Sequence, residues 1–566
     1  MKKNILLLFI LTCFLSFRSY SQNWAWAKGA GGNQKVESYA IAIDSAGNSY
    51  VTGWFEANLE FGPTTLNATV GSNVYASDIF VAKYDRDGNF VWARRAGGTN
   101  YDYGNGIATD PSGNVYVTGL FIGTATFGSI SITSTTVDYD VFIAKYDPNG
   151  NVLWVNKGGG SVWDVGNAVT TDHMGNCYIT GGYRNTATFG TTSFTSAGNY
   201  DIFVAKYDTN GNFVWAKSAG GTGDDRGQSI SVDASGNSYL TGFFKGTMTV
   251  ATSTITSAGN SDIFLMKYNA AGTPQWAKRA GGTDADEGNS IKVQPSGNLY
   301  VTGYFTDTAT FGTTTVNGYG NADIFVGKFD FKGDLIWVKK YGGLQNDKGY
   351  GISLDTFSNV FVTGSFWGTG QFDTISLASS NQDDAFVAGI NNTGTTKWVL
   401  KGGGVNIDVS RGIASNSYGR CYITGFYSGS AMFDTLSISG VNDNDLFVAK
   451  IDSTFLYDSI PFVDDTVPII TGGAHELQNS SVLMAYPNPF TEELTLYLES
   501  ASEMERIEMY DVLGKSVLEQ ITVSRIQSAA VQKRAVIDGS GLNNGVYFVK
   551  VFSGGNVYSA RLVLVR

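Results

Sequence analysis

The chain has 566 residues, a formal net charge of −12, 71 glycines, 35 phenylalanines and only 16% charged residues. This composition is typical of a turn-rich β protein, and its length exceeds what one ordinary hydrophobic core holds. Because nucleic-acid binding needs concentrated Lys and Arg, the acidic balance argues against a nucleic-acid partner.

Residues 1–21 predict a secretory signal peptide. Lys2 and Lys3 precede an apolar stretch that runs from Ile5 to Leu15, and small residues stand before an expected cleavage after Ser21. No later segment offers about 20 consecutive apolar residues, so we expect no transmembrane segment in the mature protein. The pattern predicts an exported protein that is secreted, extracellular or attached to the cell surface.

Three sequence signatures each recur seven times and define a tandem repeat. One is a tryptophan strand, another is GNSYVTGWF (47–55), and the last is DIFVAKYD (78–85). The tryptophans are Trp26, Trp92, Trp154, Trp215, Trp276, Trp337 and Trp398. A single unit of this size cannot bury its own apolar faces, so we expect the seven units to stack on one another.

The DIFVAKYD strand is apolar on both faces. Alternation places Phe80 and Ala82 on one face and Ile79 and Val81 on the other. A strand buried on both sides suits blades that sandwich each other. We therefore predict an all-β fold with a seven-bladed β-propeller over 22–452.

The two ends of the repeat array are complementary. The chain enters on a tryptophan strand, NWAWAK (23–28), and the seventh unit stops at DLFVAKID (445–452) without one. This predicts that the N-terminal strand completes the last blade, near Phe447, and hides its edge. An excursion between the second and third strands of each unit is expected to form an extra hairpin, whose position stays open.

Short D-x-x-G-N segments, such as Asp110 to Asn114, separate the strands. An Asp that accepts backbone hydrogen bonds, followed by a Gly that adopts positive φ, predicts a tight turn. The alternative is a calcium loop, but the further carboxylates of an EF-hand are missing. We expect no cofactor, and a calcium ion is the unsupported alternative.

The repeat pattern, from GNxYVTGxF to DIFVAKYD, resembles the SBBP (seven-bladed β-propeller) repeat family of bacterial surface proteins over roughly 23–452. The resemblance implies an exported structural or binding protein, and it implies no shared catalytic residues.

The repeat ends at a predicted linker, 453–483, which is rich in Pro, Gly and acidic residues. Alternating segments at 493–499, 506–512, 545–552 and 561–565 then predict a small Ig-like β-sandwich over 484–566.

This last region resembles the type A C-terminal sorting domain of the type IX secretion system of Bacteroidetes. The matching motifs are Tyr486 to Pro489, YDVLGK (510–515), LNNGVYFVKV (542–551) and a terminal RLVLV, with Arg561 in place of the usual Lys. The resemblance implies the secretion machinery as partner and a sorting signal that includes Pro487, Asn488, Pro489, Gly514, Gly545 and Arg561. An ordinary Ig-like module is the alternative.

Candidate site residues are carboxylates and aromatics, because the chain has only two histidines, His173 and His475. One set of acids opens each DIFVAKYD strand; we call these the strand aspartates and expect them to fix turns. They are Asp78, Asp140, Asp201, Asp262, Asp323, Asp384 and Asp445.

A second set, the loop aspartates, follows a Gly-Gly pair in the loop between units. They are Asp102, Asp164, Asp225, Asp286, Asp347 and Asp408. They are candidate ligand-binding residues near the central channel, and the alternative is that each caps its own turn. Four off-pattern aromatics, Tyr101, Tyr103, Trp163 and Tyr350, could stack on sugar rings or pack on their own loops.

Together these patterns predict a binding or adhesion protein for glycan or protein ligands and not an enzyme. The alternative is a carboxylate-dependent polysaccharide hydrolase or lyase on the propeller face. An active site should break the repeat with a local pair of acids, and only Asp224–Asp225 and Asp284–Asp286 do so. A purely structural spacer is a third possibility.

Overall fold

The structure is a computed structural model that describes most of 22–452 and parts of the C-terminal region. The described ranges are 22–69, 76–250, 253–417, 419–440, 444–452, 483–486, 493–499, 506–511, 516–517, 522–526, 532–538, 540–542, 545–553 and 556–564. The regular secondary structure within these ranges consists of β-strands alone, as the sequence predicts. No helix that could cross a membrane occurs in this part of the chain.

The chain begins with β1 (Trp24–Ala30), and the next strands form repeating units. Unit 1 comprises β2 (Val36–Ile43), β3 (Ser49–Glu56), β4 (Asn58–Phe61), β5 (Thr64–Asn67), β6 (Ser77–Tyr84) and β7 (Phe90–Gly97). Unit 2 comprises β8 (Tyr103–Thr109), β9 (Val115–Ile122), β10 (Thr124–Phe127), β11 (Ile130–Thr133), β12 (Tyr139–Tyr146) and β13 (Val152–Gly160). Unit 3 comprises β14 (Val165–Thr171), β15 (Cys177–Phe189), β16 (Thr192–Tyr207) and β17 (Phe213–Gly221).

Four more units follow. Unit 4 comprises β18 (Arg226–Val232), β19 (Ser238–Phe244), β20 (Thr247–Val250), β21 (Ser253–Thr256), β22 (Asp262–Tyr268) and β23 (Pro274–Gly281). Unit 5 comprises β24 (Glu287–Val293), β25 (Leu299–Phe311), β26 (Thr314–Phe329) and β27 (Leu335–Gly342); unit 6 comprises β28 (Lys348–Leu354), β29 (Val360–Phe372), β30 (Ile375–Ile390) and β31 (Thr396–Gly402). Unit 7 comprises β32 (Val409–Ser415), β33 (Cys421–Tyr427), β34 (Ser430–Phe433), β35 (Leu436–Ser439) and β36 (Asp445–Ile451).

Each unit is a four-stranded antiparallel sheet whose strands pair in chain order. In unit 1 the order is β2, β3, β6 and β7. In unit 7 the order is β32, β33, β36 and then β1, with Gly29 opposite Phe447 and Trp26 opposite Lys450. The strand at the start of the chain therefore supplies the fourth strand of unit 7 and covers the edge that β36 would otherwise expose.

Both faces of each third strand are buried against neighbouring units. In β6, Ile79 and Val81 join a cluster with Val117 of unit 2, whereas Phe80 and Ala82 join one with Val448 of unit 7. Equivalent clusters join all the remaining pairs of successive units. Burying a side chain of this size contributes about 1.5–3 kcal/mol, so the packing between units is the main source of stability.

The D-x-x-G-N segments form the turns that the sequence predicts. In the turn after β8, Asp110 Oδ1 accepts the N–H groups of Ser112 and Asn114, both at 2.9 Å, and Gly113 has φ of 79°. Asp110 Oδ2 accepts the Asn114 side-chain amide at 2.8 Å and the Tyr116 hydroxyl at 3.2 Å. The recurring Asn and Tyr of the motif thus hold the turn to the following strand.

The excursion in each unit is a hairpin that extends the sheet of the preceding unit. In unit 2 the arms β10 and β11 pair with each other, and Phe127 of β10 lies opposite Ala96 of β7 in unit 1. The same pairing joins units 2 to 3 and 3 to 4, and isolated bridges join Gly31 to Glu60 and Gly403 to Met432. Each hairpin therefore covers the outer strand of its neighbour.

Cys177 and Cys421 hold the same place in units 3 and 7. Both are fully buried free thiols.

The described part of the C-terminal region forms two antiparallel sheets. One contains β37 (Leu483–Tyr486), β38 (Glu493–Glu499), β41 (Gln532–Asp538) and β40 (Thr522–Ile526), in that order. The other contains β39 (Arg506–Asp511), β42 (Gly545–Ser553) and β43 (Asn556–Leu564). Buried side chains of both sheets, including Leu494, Met509, Ile537 and Val549, form one cluster.

Several predicted features lie outside the described residues. They are the signal peptide 1–21, nearly all of the linker 453–483, and the sorting residues Pro487, Asn488, Pro489 and Gly514.

Candidate functional site

The six loop aspartates are buried and held by backbone N–H groups. Asp102 shows the pattern: Oδ2 accepts the Gly98 N–H at 2.7 Å, and Oδ1 accepts the Ile122 N–H at 3.2 Å. The same two bonds recur at Asp164, Asp225, Asp286, Asp347 and Asp408. Each loop aspartate thus ties the loop before it to the second strand of its own unit, which favours the turn-capping role over direct ligand contact.

Burial changes the protonation of these carboxyl groups. It raises the pKa of Asp102, Asp225, Asp286, Asp347 and Asp408 to about 7 and that of Asp164 to about 8, against the N–H bonds that lower it. A carboxyl group with such a pKa is substantially protonated near neutral pH. The loop aspartates are therefore not a ring of six full negative charges.

Unit 1 lacks the loop aspartate because Val36 takes its place. Val36 is fully buried, and its N–H donates to Asn444 O of unit 7 at 2.9 Å. The equivalent main-chain bond at Asp102 runs to Ser77 O, also at 2.9 Å. The loop keeps its position through the main chain, so six acids serve seven units.

The strand aspartates lie next to the loop aspartates. A Cβ atom placed on Gly97 would stand 2.4 Å from Asp78 Oδ1 and 2.9 Å from Asp102 Oδ2, so the two carboxyl groups flank one glycine. Asp78 Oδ2 also accepts the Thr69 N–H at 2.8 Å and pairs with Arg95 at 2.6 Å. These contacts support the predicted turn-fixing role.

A β-bulge interrupts every first strand and places one extra residue at its start. We call these seven positions the bulge residues; they are Tyr39, Asn105, Asn167, Gln228, Asn289, Tyr350 and Arg411. Asn105 donates its side-chain amide to Gly166 O of the next first strand at 3.0 Å, and Asn167 and Asn289 repeat the bond at 2.9 and 2.8 Å. Asparagine is therefore the regular bridging residue at this position.

The bulge residues of units 6, 7 and 1 break this pattern together. Arg411 packs its guanidinium 4.4 Å from the ring centre of Tyr350 and 5.9 Å from that of Tyr39. Tyr39 accepts a hydrogen bond from Trp54 Nε1 at 3.0 Å. Because bulges commonly re-aim side chains at functional sites, this break in the repeat makes the region a candidate site.

Aromatic rings continue from Trp54 into units 2 and 3. The Trp54 and Tyr103 ring centres are 5.3 Å apart, and Tyr103 lies 6.5 Å from Tyr101 with nearly parallel planes. The pKa of Tyr139 is raised to about 12, mainly by burial and also by electrostatic interaction with the nearby Tyr103 and Tyr101. The Tyr139 ring meets that of Trp163 edge-on at 5.1 Å.

We name this set of residues the aromatic belt. Its members are Tyr350, Arg411, Tyr39, Trp54, Tyr103, Tyr101, Tyr139 and Trp163. Trp163 is 50% exposed and offers the most open ring face of the set. The belt contains all four aromatics predicted from the sequence, and it draws on five of the seven units.

Sequence reasoning missed Arg411, Tyr39, Trp54 and Tyr139. Arg411 and Tyr39 could have been found by comparing the third residue after each loop aspartate across the repeats, since Asn is common there. Trp54 and Tyr139 stand in otherwise regular strands, and only the packing shows that they extend the belt.

The two local acid doublings do not form an exposed carboxylate pair. Asp224 is bound to Arg226 at 3.1 Å, while its neighbour Asp225 is buried. Asp284 accepts a bond from Thr283 Oγ1 at 3.3 Å, and Asp286 is buried. Among the described residues no cluster of three or more His, Cys, Asp or Glu side chains could hold a metal ion.

Two of the predicted sorting residues lie in described strands. Gly545 begins β42, and Arg561 lies in β43 opposite Phe548.

Comparison with known proteins matches both regions of the chain. Residues 484–565 match the family described as the secretion system C-terminal sorting domain. Residues 26–54, 91–120 and 336–369 match the beta-propeller repeat family SBBP.

Among curated proteins, the chain is 25% identical to the uncharacterized WD repeat-containing protein L264 of Acanthamoeba polyphaga mimivirus, over 66% of this chain and 34% of that protein. It is 26% identical to the regulatory protein FlaEY of Caulobacter vibrioides, over 57% of this chain and 36% of that protein. The chain thus spans about a third of the length of these relatives.

The sorting domain implies an interaction with the secretion machinery. The chain therefore carries SBBP-type β-propeller repeats and a type IX secretion C-terminal sorting domain, and the protein is exported to the cell surface or the extracellular space.

Proposed function

We propose that the protein is an exported seven-bladed β-propeller that binds carbohydrate on its aromatic belt, as a binding or adhesion module. In this proposal the C-terminal region is an Ig-like sandwich that acts as the sorting signal. The observation that carries the binding role is the belt itself, because its rings cluster where the repeat departs from its own pattern.

The seven-bladed architecture is supported by the packing of the units. Seven four-stranded sheets follow one another, and the cluster that contains Phe80 and Val448 joins unit 7 to unit 1. A repeat whose last unit packs on its first leaves no uncovered terminal unit.

Carbohydrate is the ligand class that the belt fits best. Sugar rings present apolar C–H faces that pack on aromatic faces, and their hydroxyl groups need hydrogen-bond partners nearby. The belt offers the open ring of Trp163, the half-buried rings of Tyr101 and Tyr103, and tyrosine hydroxyl groups between them. A row of rings also suits a chain of several sugars better than a single small molecule.

A glycan array tests the proposal, followed by titration of the full exported chain with the best ligand. Trp163→Ala should weaken binding at least about tenfold, because a stacked aromatic at a binding centre commonly contributes more than 1 kcal/mol. Phe331→Ala is the matched control: Phe331 is 52% exposed, but it lies in the turn between β26 and β27, outside the belt. Equal loss in both variants, or no glycan bound at all, would contradict the proposal.

The enzyme alternative makes a different prediction for the same ligands. A hydrolase or lyase would shorten a bound polysaccharide over time, and Asp224→Asn would stop this turnover if Asp224 served as acid or base. We propose binding instead, because Asp224 is paired with Arg226 and its neighbour Asp225 is buried. Product release from any bound glycan would favour the enzyme.

A further inference from the structure

Arg411 is a cation whose charge the described residues leave without an acid partner. Its guanidinium packs on the rings of Tyr350, Tyr39 and Phe426, at 4.4, 5.9 and 5.9 Å. Its Nε is buried and has no hydrogen-bond partner. Within the described ranges no carboxylate lies within ion-pair distance of Arg411.

Three other arginines of the repeat are paired with carboxylates. Arg95 lies 2.6 Å from Asp78, Arg279 lies 2.7 Å from Asp262, and Arg226 lies 3.1 Å from Asp224. The chain as a whole carries an excess of acids, with a net charge of −12. Leaving a partly buried guanidinium without an anion is unfavourable unless a bound group supplies one.

Arg411 also does not form the hydrogen bond that asparagine makes at the same bulge position. At the same bulge position Asn105, Asn167 and Asn289 each donate to a carbonyl of the next first strand. Arg411 makes no such hydrogen bond in the structure, although a longer side chain with five donors stands there. Tyr350 and Tyr39 flank it on both sides, and they orient the planar group without using its N–H donors.

We propose that Arg411 binds the carboxylate of an acidic sugar, so that the ligand of the belt is a uronic-acid-containing polysaccharide. The inference rests on the proposed carbohydrate-binding function and specifies its substrate class. The guanidinium fork matches a planar carboxylate with two parallel hydrogen bonds, and the aromatic rings would pack on the sugar faces on either side. A neutral polysaccharide offers hydroxyl oxygens as acceptors but no negative charge to compensate the guanidinium.

The test compares acidic polysaccharides with their carboxyl-reduced forms, in which each carboxylate becomes a neutral hydroxymethyl group. The probes are polygalacturonate, alginate and hyaluronan, titrated against the full exported chain. At least one acidic form should bind about tenfold or more tighter than its reduced form, since hydrogen bonds between charged groups are about twice as strong as those between neutral groups. This preference should weaken as salt is added.

Variants assign the preference to Arg411. Arg411→Gln should abolish it while binding to the reduced form persists, and Arg411→Lys should keep part of it because the charge remains. Arg86→Gln is the matched control, since Arg86 lies 49% exposed in the turn between β6 and β7 and its removal changes the net charge equally. A thermal melt of each variant checks that it is folded.

The outcomes separate the two proposals. Equal binding of acidic and reduced forms, or a preference that survives in folded Arg411→Gln, overturns the role of Arg411 and leaves carbohydrate binding standing. Failure of every form to bind overturns the role of Arg411, and carbohydrate binding is overturned with it if the glycan array also yields no ligand. The last comparison uses dextran sulfate and uncharged dextran. If the protein preferred only the sulfated form and none of the carboxylated ones, a carboxylate-specific site would be contradicted.

Discussion

Trp26 Nε1 donates to Arg86 O at 3.3 Å. Trp26 lies in β1, which pairs with β36 of unit 7, so this bond connects the same strand to unit 1 as well. The Trp26 ring also lies against Gly88, where an added Cβ would meet it at 2.7 Å. Trp92 and Trp154 make the same contacts with the turns of units 2 and 3. These tryptophans therefore fix a fourth strand to the next unit, and Trp26 does so across the two ends of the array.

Trp26→Ala should destabilise the repeat region by about 3 kcal/mol, the usual loss for a large buried ring. It should also loosen β1 before the rest unfolds, because β1 reaches unit 1 through this side chain. Hydrogen exchange would then accelerate at the amides of β36 that face β1 while other third strands stay protected.

Trp215→Ala is the matched control for this prediction. Trp215 Nε1 donates to Ala270 O at 3.2 Å, and its ring lies against Gly272 in the same manner. Its strand, β17, is continuous with the chain on both sides. A similar loss of stability without local exchange at β36 is expected, and identical exchange patterns in the two variants would argue against a special role for the closing strand.

Gly97→Ala should cost at least about 2 kcal/mol of unfolding free energy. Gly97 has φ of 141°, and a methyl group there would stand 2.4 Å from Asp78 Oδ1 and 2.9 Å from Asp102 Oδ2. Gly62→Ala is the control, since Gly62 also has positive φ, 60°, but nothing lies within 4 Å of an added Cβ. Denaturant unfolding should show a clearly smaller loss for Gly62→Ala, about 1 kcal/mol.

The stability of the repeat region should fall as pH rises from about 4 to about 7, and it should level off above that. The loop aspartates have folded pKa values near 7, raised above the ordinary 3.8 by burial, so the folded state binds their protons more tightly than the unfolded state. Their contribution is fully present below the ordinary pKa of 3.8 and is lost progressively as pH rises from there through about 7. Thermal melts across this window would measure it.

Replacing Asp102, Asp164 and Asp225 together by Asn should reduce that pH dependence by about half. An amide resembles the protonated acid and does not titrate. Hydrogen bonds lower the pKa values of the turn aspartates Asp85 and Asp147, so these groups are ionised in both states above about pH 5 and do not contribute there. A melting temperature that increases with pH in the wild type would refute the assignment.

The strand pattern was predictable where local sequence alone determines burial. Both faces of DIFVAKYD read as apolar, and Ile79, Phe80 and Val81 are indeed fully buried. The hairpins were found as elements but not placed, because the partner of Phe127 is Ala96 of another unit and periodicity gives no information on pairing between units.

The candidate site was predictable in composition and not in orientation. The sequence around a loop aspartate is the same whether its carboxylate faces solvent or bonds to its own unit. Its orientation is set by the N–H of a residue 20 positions later, such as Ile122 for Asp102. The aromatics were visible as departures from the repeat, whereas Arg411 became distinctive only once the bulge aligned it with Asn105 and Asn167.

Lys292 in β24 gives a last prediction, because it occupies a place where other units carry small residues. The equivalent positions hold Ala108, Thr170, Ser231 and Ser353, each opposite an aromatic residue of the second strand. Burial lowers the pKa of Lys292, and within the described residues it forms no ion pair. Folding therefore works against its charge, and stability should rise with pH toward the ordinary lysine pKa of 10.5.

Lys292→Met should accordingly stabilise the protein by up to about 1 kcal/mol, since it keeps the length of the side chain and removes a partly buried charge. Lys278→Met is the control: Lys278 is 42% exposed and pairs with Asp334 at 2.9 Å, so its loss should change stability by less than about 0.5 kcal/mol. The gain from Lys292→Met should also shrink at alkaline pH, where the wild-type amine is neutral in the folded state. A lower melting temperature for Lys292→Met would show instead that the ammonium group has a partner that stabilises it.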